Sequence, residues 1–147
     1  MGSLAVYRKI RLSHHIINAI ILFLRKPKNM ISREQALTFA HEWVEAWNAH
    51  DLPRVLEHYT DDFEMSSPLM VQLGLSESGT LQGKQQIGDY WQKGLSKYPD
   101  LSFKIIDVLS SVNSVIIYYH TINNKLSAEL FLFNEAGKVY KSIGHYN

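Results

Sequence analysis

An α+β domain, with helices gathered on one face of an antiparallel sheet, is the architecture expected of this 147-residue chain. Three observations point to it. Apolar residues recur at helical spacing between residues 32 and 98, then at every second position from Ser102 onward. A capping box opens the first helical stretch. Turn residues break the alternating stretch at Asn123-Asn124 and at Glu135-Ala136-Gly137.

The elements follow in order. Ser32 and Gln35 form the capping box, and Leu37, Ala40, Trp43, Val44 and Trp47 make the apolar stripe of a first helix. Asp51 caps a second, short helix, with Pro53 tolerated in its first turn and Leu52, Val55, Leu56 and Tyr59 buried. That helix is expected to run out by Phe63. Phe63 and Met65 alternate with polar neighbours in a strand closed by Pro68. Residues 69–83, with three glycines, are expected to be a long loop. A third helix carries Ile87, Tyr90, Trp91 and Leu95 on one face and stops before Pro99. Four antiparallel strands are expected over residues 103–109, 114–122, 125–133 and 138–146.

The size is that of one domain. There is no cysteine, which excludes disulfide scaffolds, thiolate metal sites and thiol catalysis and fits a cytoplasmic protein. The net charge of +1 hides an asymmetry. Residues 1–29 hold Arg8, Lys9, Arg11, Arg25, Lys26 and Lys28 and no acid, whereas the remainder is mildly acidic and lacks an electrostatic footprint for nucleic acid. Residues 16–24 are apolar except for Asn18, too short a run to span a bilayer. Residues 1–29 therefore read as an interfacial basic helix, a partner-packed helix or an extension ahead of a natural start at Met30. The last is preferred, because structured patterning begins directly after Met30. Contact with a membrane is expected only through this segment, and residues 30–147 form the domain proper.

A two-residue turn at Asn123-Asn124 would pair Tyr118 with Glu129, His120 with Ser127 and Ile116 with Phe131 on one sheet face. Tyr118, His120 and Glu129 are then the candidate catalytic group. A carboxylate facing an apolar interior has a raised pKa and can serve as acid or base, and a nearby imidazole can relay its proton. The alternative is a self-satisfied polar pair near the sheet edge. The opposite face, with Val115, Ile117, Tyr119, Leu130 and Leu132, is also apolar. One face must meet the helices, and the other is expected to meet a second copy, giving a homodimer.

Other motifs lead nowhere chemical. His41-Glu42-Trp43-Val44-Glu45 resembles half a zinc-protease helix, but Glu45 stands where the second histidine is needed, so no metal is expected. Gly79 to Lys84 is one residue short of a phosphate loop, Gln85 replaces its Ser or Thr, and no strand is expected directly ahead of it. His50 and His58 read as solvated helix-end residues, and Asp61-Asp62 as the turn into the first strand.

Residues 32–147 resemble the SnoaL-like branch of the nuclear transport factor two-like superfamily. The resemblance rests on WVEAWNAHDLPRVLEHYTDDF, on SSP closing the first strand, on SGTLQGKQQIGDYW and on AELFLFNEAGKVYKSIGHY. It implies a cone, a curved antiparallel sheet wrapped by three helices, commonly dimeric through the sheet. That branch includes polyketide cyclases and ketosteroid isomerases. Against the isomerases, the position of their Asp base before a Pro is Ser67, that of their phenolic donor is Trp43, and that of their protonated acid donor is Glu129. Steroid isomerisation is therefore not expected. What the resemblance implies is a pocket lined by Trp43, Tyr59, Met65, Ser67, Trp91, Phe131 and Tyr146, with Glu129 as its ionisable floor. The function expected is proton-transfer or water-addition chemistry, of isomerase, cyclase or hydratase type, on a small apolar molecule without a cofactor. The alternative is a non-catalytic dimeric module that holds a ligand or a partner protein.

Overall fold

The computed structural model describes Ser13 and residues 30–147. The expectations for the rest of residues 1–29 lie outside the described residues. Helix α1, Arg33–Asn48, starts as expected: Ser32 Oγ accepts from the Gln35 amide at 3.1 Å, and Gln35 Oε1 accepts from the Ser32 amide at 2.9 Å. Ala36, Phe39, Ala40, Trp43, Val44, Ala46 and Trp47 are its buried stripe. Burying each large side chain contributes about 1.5–3 kcal/mol. Its end is clamped to the sheet. The Asn48 side chain donates to Phe103 O at 3.0 Å and accepts from Phe103 N at 2.7 Å. His50 is not simply solvated, since its Nε2–H donates to Leu101 O at 2.8 Å.

Helix α2, Leu52–Leu56, begins at Asp51, whose carboxylate accepts from the Arg54 amide. Strand β1, Tyr59–Ser66, starts earlier than expected, so Asp61 and Asp62 lie inside the strand. The stretch expected to be a long loop contains helix α3, Pro68–Gln72, capped by Ser67, and strand β2, Thr80–Gln82. Neither was legible, because each is too short to show a period. Helix α4 is Lys84–Lys97. Strands β3, Lys104–Ser110, β4, Ser114–His120, β5, Leu126–Phe133, and β6, Val139–Tyr146, complete the chain.

The six strands form one curved sheet in the order β2-β1-β6-β5-β4-β3. It is mixed rather than wholly antiparallel, because β1 runs parallel to β6, with Met65 beside Ser142 and Ser66 beside Ile143. Register breaks in β3, between β5 and β6 and between β1 and β6 mark bulges, which bend strands and curl the sheet around the helices. Among the described residues no helix is long and apolar enough to cross a membrane.

One expectation fails with large consequences. The Thr121 amide donates to Lys125 O at 2.8 Å, so the β4–β5 loop has three residues, Ile122–Asn124, with Asn123 and Asn124 at φ 56° and 59°. The extra residue shifts every pair by one. Glu129 faces Ile117, Ser127 faces Tyr119, and Phe131 faces Val115. Because side chains alternate, a one-residue slip exchanges the faces of a whole strand. The inner face therefore carries Val115, Ile117, Tyr119, Ser127, Glu129, Phe131 and Ser142, all buried. The outer face carries Ile116, Tyr118, Leu130, Leu132 and Ile143, with Leu109 exposed at the margin.

Candidate functional site

A cavity of about 540 Å³ opens between α1, α4 and the inner sheet face. That lies within the range of sites that enclose small organic molecules. Its aromatic wall is built by a chain of ring contacts. Trp43 stacks on Phe103, 5.5 Å between centroids at 18°, and meets Trp47 and Tyr119 edge to face. Trp47 in turn meets Trp91 of α4 at 5.2 Å. The Asn48 clamp on Phe103 holds this wall in register with α1.

Glu129 lines the cavity and is buried. It stands opposite Gly144 in the β5–β6 pair. Burial pushes its carboxyl up to about 8, and the nearby Ser142 hydroxyl tempers the rise. That hydroxyl stands close to the carboxyl without reaching good hydrogen-bond geometry, and it makes no hydrogen bond among the described residues. No ion pair among the described residues involves Glu129. Below about pH 8 the carboxyl holds its proton and can donate a hydrogen bond. Tyr90, Tyr119 and Tyr146 surround the same space, and burial, with the Glu129 charge second, raises each phenol further from ionisation. Ser67 lies beside both Tyr90 and Tyr146 and counters the rise slightly. Among the described residues no histidine lines this cavity. The arrangement offers a carboxylic acid and phenols to an oxygen of a bound molecule, and no group that is basic at neutral pH.

The structure sorts the expected site residues into three groups. Trp43, Met65, Trp91, Glu129 and Tyr146 line the cavity. Tyr59, Ser67 and Phe131 are buried behind the wall: the Tyr59 hydroxyl accepts from Trp43 Nε1 at 3.0 Å, and Phe131 supports Trp43 edge to face. Tyr118 and His120 point to the other side of β4, as the register correction requires. Tyr118 is exposed, and the His120 ring lies against Asn124 O at 3.1 Å. Neither can relay a proton to Glu129. Tyr119 takes the inner position that Tyr118 was given. Tyr90 was legible only as part of a packing stripe, and Lys93 and Lys97, which also line the cavity, carried no signal in the sequence reading.

A larger trough of about 1060 Å³ lies at the other end of α1, against Glu34, Phe39, Glu42, His58 and Glu135. It is an open surface feature without a buried carboxyl. His58 there is half-buried, meets Phe39 edge to face, and burial lowers its pKa.

A model of the SnoaL-like domain matches residues 40–140. The chain belongs to the SnoaL-like family. A SnoaL-like protein of unknown function from Burkholderia thailandensis is 45% identical, with 80% of this chain and 98% of that one covered and a TM-score of 0.78. A nuclear transport factor two-like protein of unknown function from Cytophaga hutchinsonii shares the fold at 13% identity, with a TM-score of 0.60 and coverage of 82% and 94%. A protein of unknown function with a cystatin-like fold from Methylobium petroleophilum does so at 16%, with a TM-score of 0.64 and coverage of 80% and 78%. No curated protein matches the chain. The SnoaL-like cone anticipated from the motifs is thus the fold, in a mixed-sheet form.

Proposed function

We propose that this SnoaL-like protein encloses a small, mostly apolar molecule and acts on one of its oxygens through Glu129. The observation that carries this reading is a buried, unpaired carboxyl at an aromatic-walled cavity. Being neutral near pH 7, Glu129 donates to a carbonyl oxygen and lowers the cost of forming an enol. Water, entering from the mouth, takes the carbon-bound proton in the absence of a protein base. Isomerisation of an enone, aldol cyclisation and conjugate addition of water to an enone all pass through such a donor-stabilised enol.

The test is exchange of the α-protons of β-tetralone in heavy water, followed by NMR. The wild type should accelerate exchange at least about a hundredfold, the lower end of the range for one positioned acid. Glu129→Gln should abolish the acceleration. Binding without acceleration would select the second reading, a ligand-holding module, which the lack of a cavity base favours. Absence of binding would overturn both. We also propose that a homodimer forms through the outer sheet face, where Ile116, Leu130, Leu132 and Ile143 form an apolar patch.

A further inference from the structure

The cavity has two chemically different ends. Its floor holds Glu129, the one acidic residue in its wall among the described residues. Lys93 and Lys97 also line it, on the same face of α4, one turn apart. Both are exposed at the solvent end, and neither belongs to an ion pair among the described residues. The neighbouring acids leave them free: Asp89, one turn before Lys93, accepts from Gln85 at 3.1 Å, and Asp100 is exposed beyond the helix end. Lys97 sits over the Tyr98 ring at 5.4 Å, held at the rim by an aromatic face. The mouth is therefore cationic while the walls are aromatic.

Spacing along α4 sets the length between the ends. Tyr90 stands next to the floor carboxyl, and Lys93 and Lys97 follow it by three and seven residues. At 1.5 Å per residue the lysines lie about 5 and 10 Å further along the axis. A naphthalene-sized skeleton bridges that distance and suits both the 540 Å³ volume and the flat aromatic walls.

We infer that the cavity takes an aromatic or polycyclic carboxylate, its anionic end held at the mouth by Lys93 and Lys97 and an oxygen at its far end presented to Glu129. This rests on the cavity reading above and deepens it by naming the ligand class. A neutral apolar molecule would leave two cations unpaired at the rim. A longer fatty chain would not match the short, ring-lined depth. The paired ammonium groups also draw an anion towards the mouth before it enters.

The experiment compares 6-hydroxy-2-naphthoate with its methyl ester, which differ in charge at one end alone. Affinities are read from tryptophan quenching and calorimetry near pH 6.5, where the naphthoate is ionised. The naphthoate should bind about tenfold more tightly, as expected of two partly exposed charge contacts. Added salt should weaken the naphthoate and leave the ester little affected. In K93Q/K97Q the preference should collapse towards unity, and K93R/K97R should restore most of it. The ester, measured in each variant, shows whether the cavity is intact. Equal affinity of naphthoate and ester for the wild type overturns the ligand class and leaves the cavity reading standing. So does a preference that survives K93Q/K97Q. Failure of both probes to bind the wild type overturns the cavity reading and the ligand class with it.

Discussion

Gly144 faces Glu129 across β5 and β6, and the missing side chain is the room in which the carboxyl sits. A methyl group on Gly144 would stand 3.1 Å from Glu129 Oε2 and 3.0 Å from the Tyr146 hydroxyl. The backbone at this glycine is ordinary, so the requirement is for space. Gly144→Ala should push Glu129 and Tyr146 into the cavity. The expected cost is about 1–3 kcal/mol in urea unfolding, together with weaker naphthoate binding. Full stability with unaltered binding would show that the two groups do not meet there.

Glu129 should make stability depend on pH. Its folded pKa, about 8, lies above the unfolded value of 4.5. Between these values the folded state keeps a proton that the unfolded state has released. Its favourable contribution is complete below pH 4.5, declines through this window by up to about tenfold in the folding equilibrium per pH unit, and levels off above the folded value. Chemical unfolding from pH 4.5 to 9 should show this decline in the wild type and lose it in Glu129→Gln. Parallel curves for the two proteins would place the carboxyl in water.

Exchange of β-tetralone protons should likewise fall once pH passes the Glu129 pKa, because an ionised carboxylate cannot donate. A rate that climbs through pH 8, after subtracting the hydroxide reaction, would identify Glu129 as a base instead.

The register of β4 separates three residues that adjoin in sequence. Tyr118→Phe and His120→Ala should leave naphthoate affinity where it was, since both side chains lie off the inner face. Tyr119→Leu should weaken it roughly five- to tenfold by removing an aromatic wall contact. The reverse pattern, measured by calorimetry, would reinstate a two-residue turn.

Sedimentation at micromolar concentration should show a dimer. Leu130→Glu with Leu132→Glu on the outer face should yield a monomer with unchanged circular dichroism. A wild-type monomer at that concentration would rule out the proposed homodimer.

Residues adjacent in the chain announced themselves well. Ser32 with Gln35, Asp51 ahead of Pro53, and the change of hydrophobic period after Ser102 encode local hydrogen bonds and a one-sided core, so the starts of α1 and α2 and the four C-terminal strands could be read from sequence. Glu129 as a pocket residue followed from family motifs, and in the structure its buried side chain is among those that line the cavity. The identity of its neighbours was decided by tertiary structure. A single extra residue in the Ile122–Asn124 loop exchanges Tyr118 and His120 for Tyr119, because alternation turns a one-residue slip into a change of face. The parallel pairing of β1 with β6 and the meeting of Lys93 and Lys97 with the cavity depend on contacts between segments far apart in sequence. No local period records such contacts, since they form only when the sheet curls and α4 packs across it.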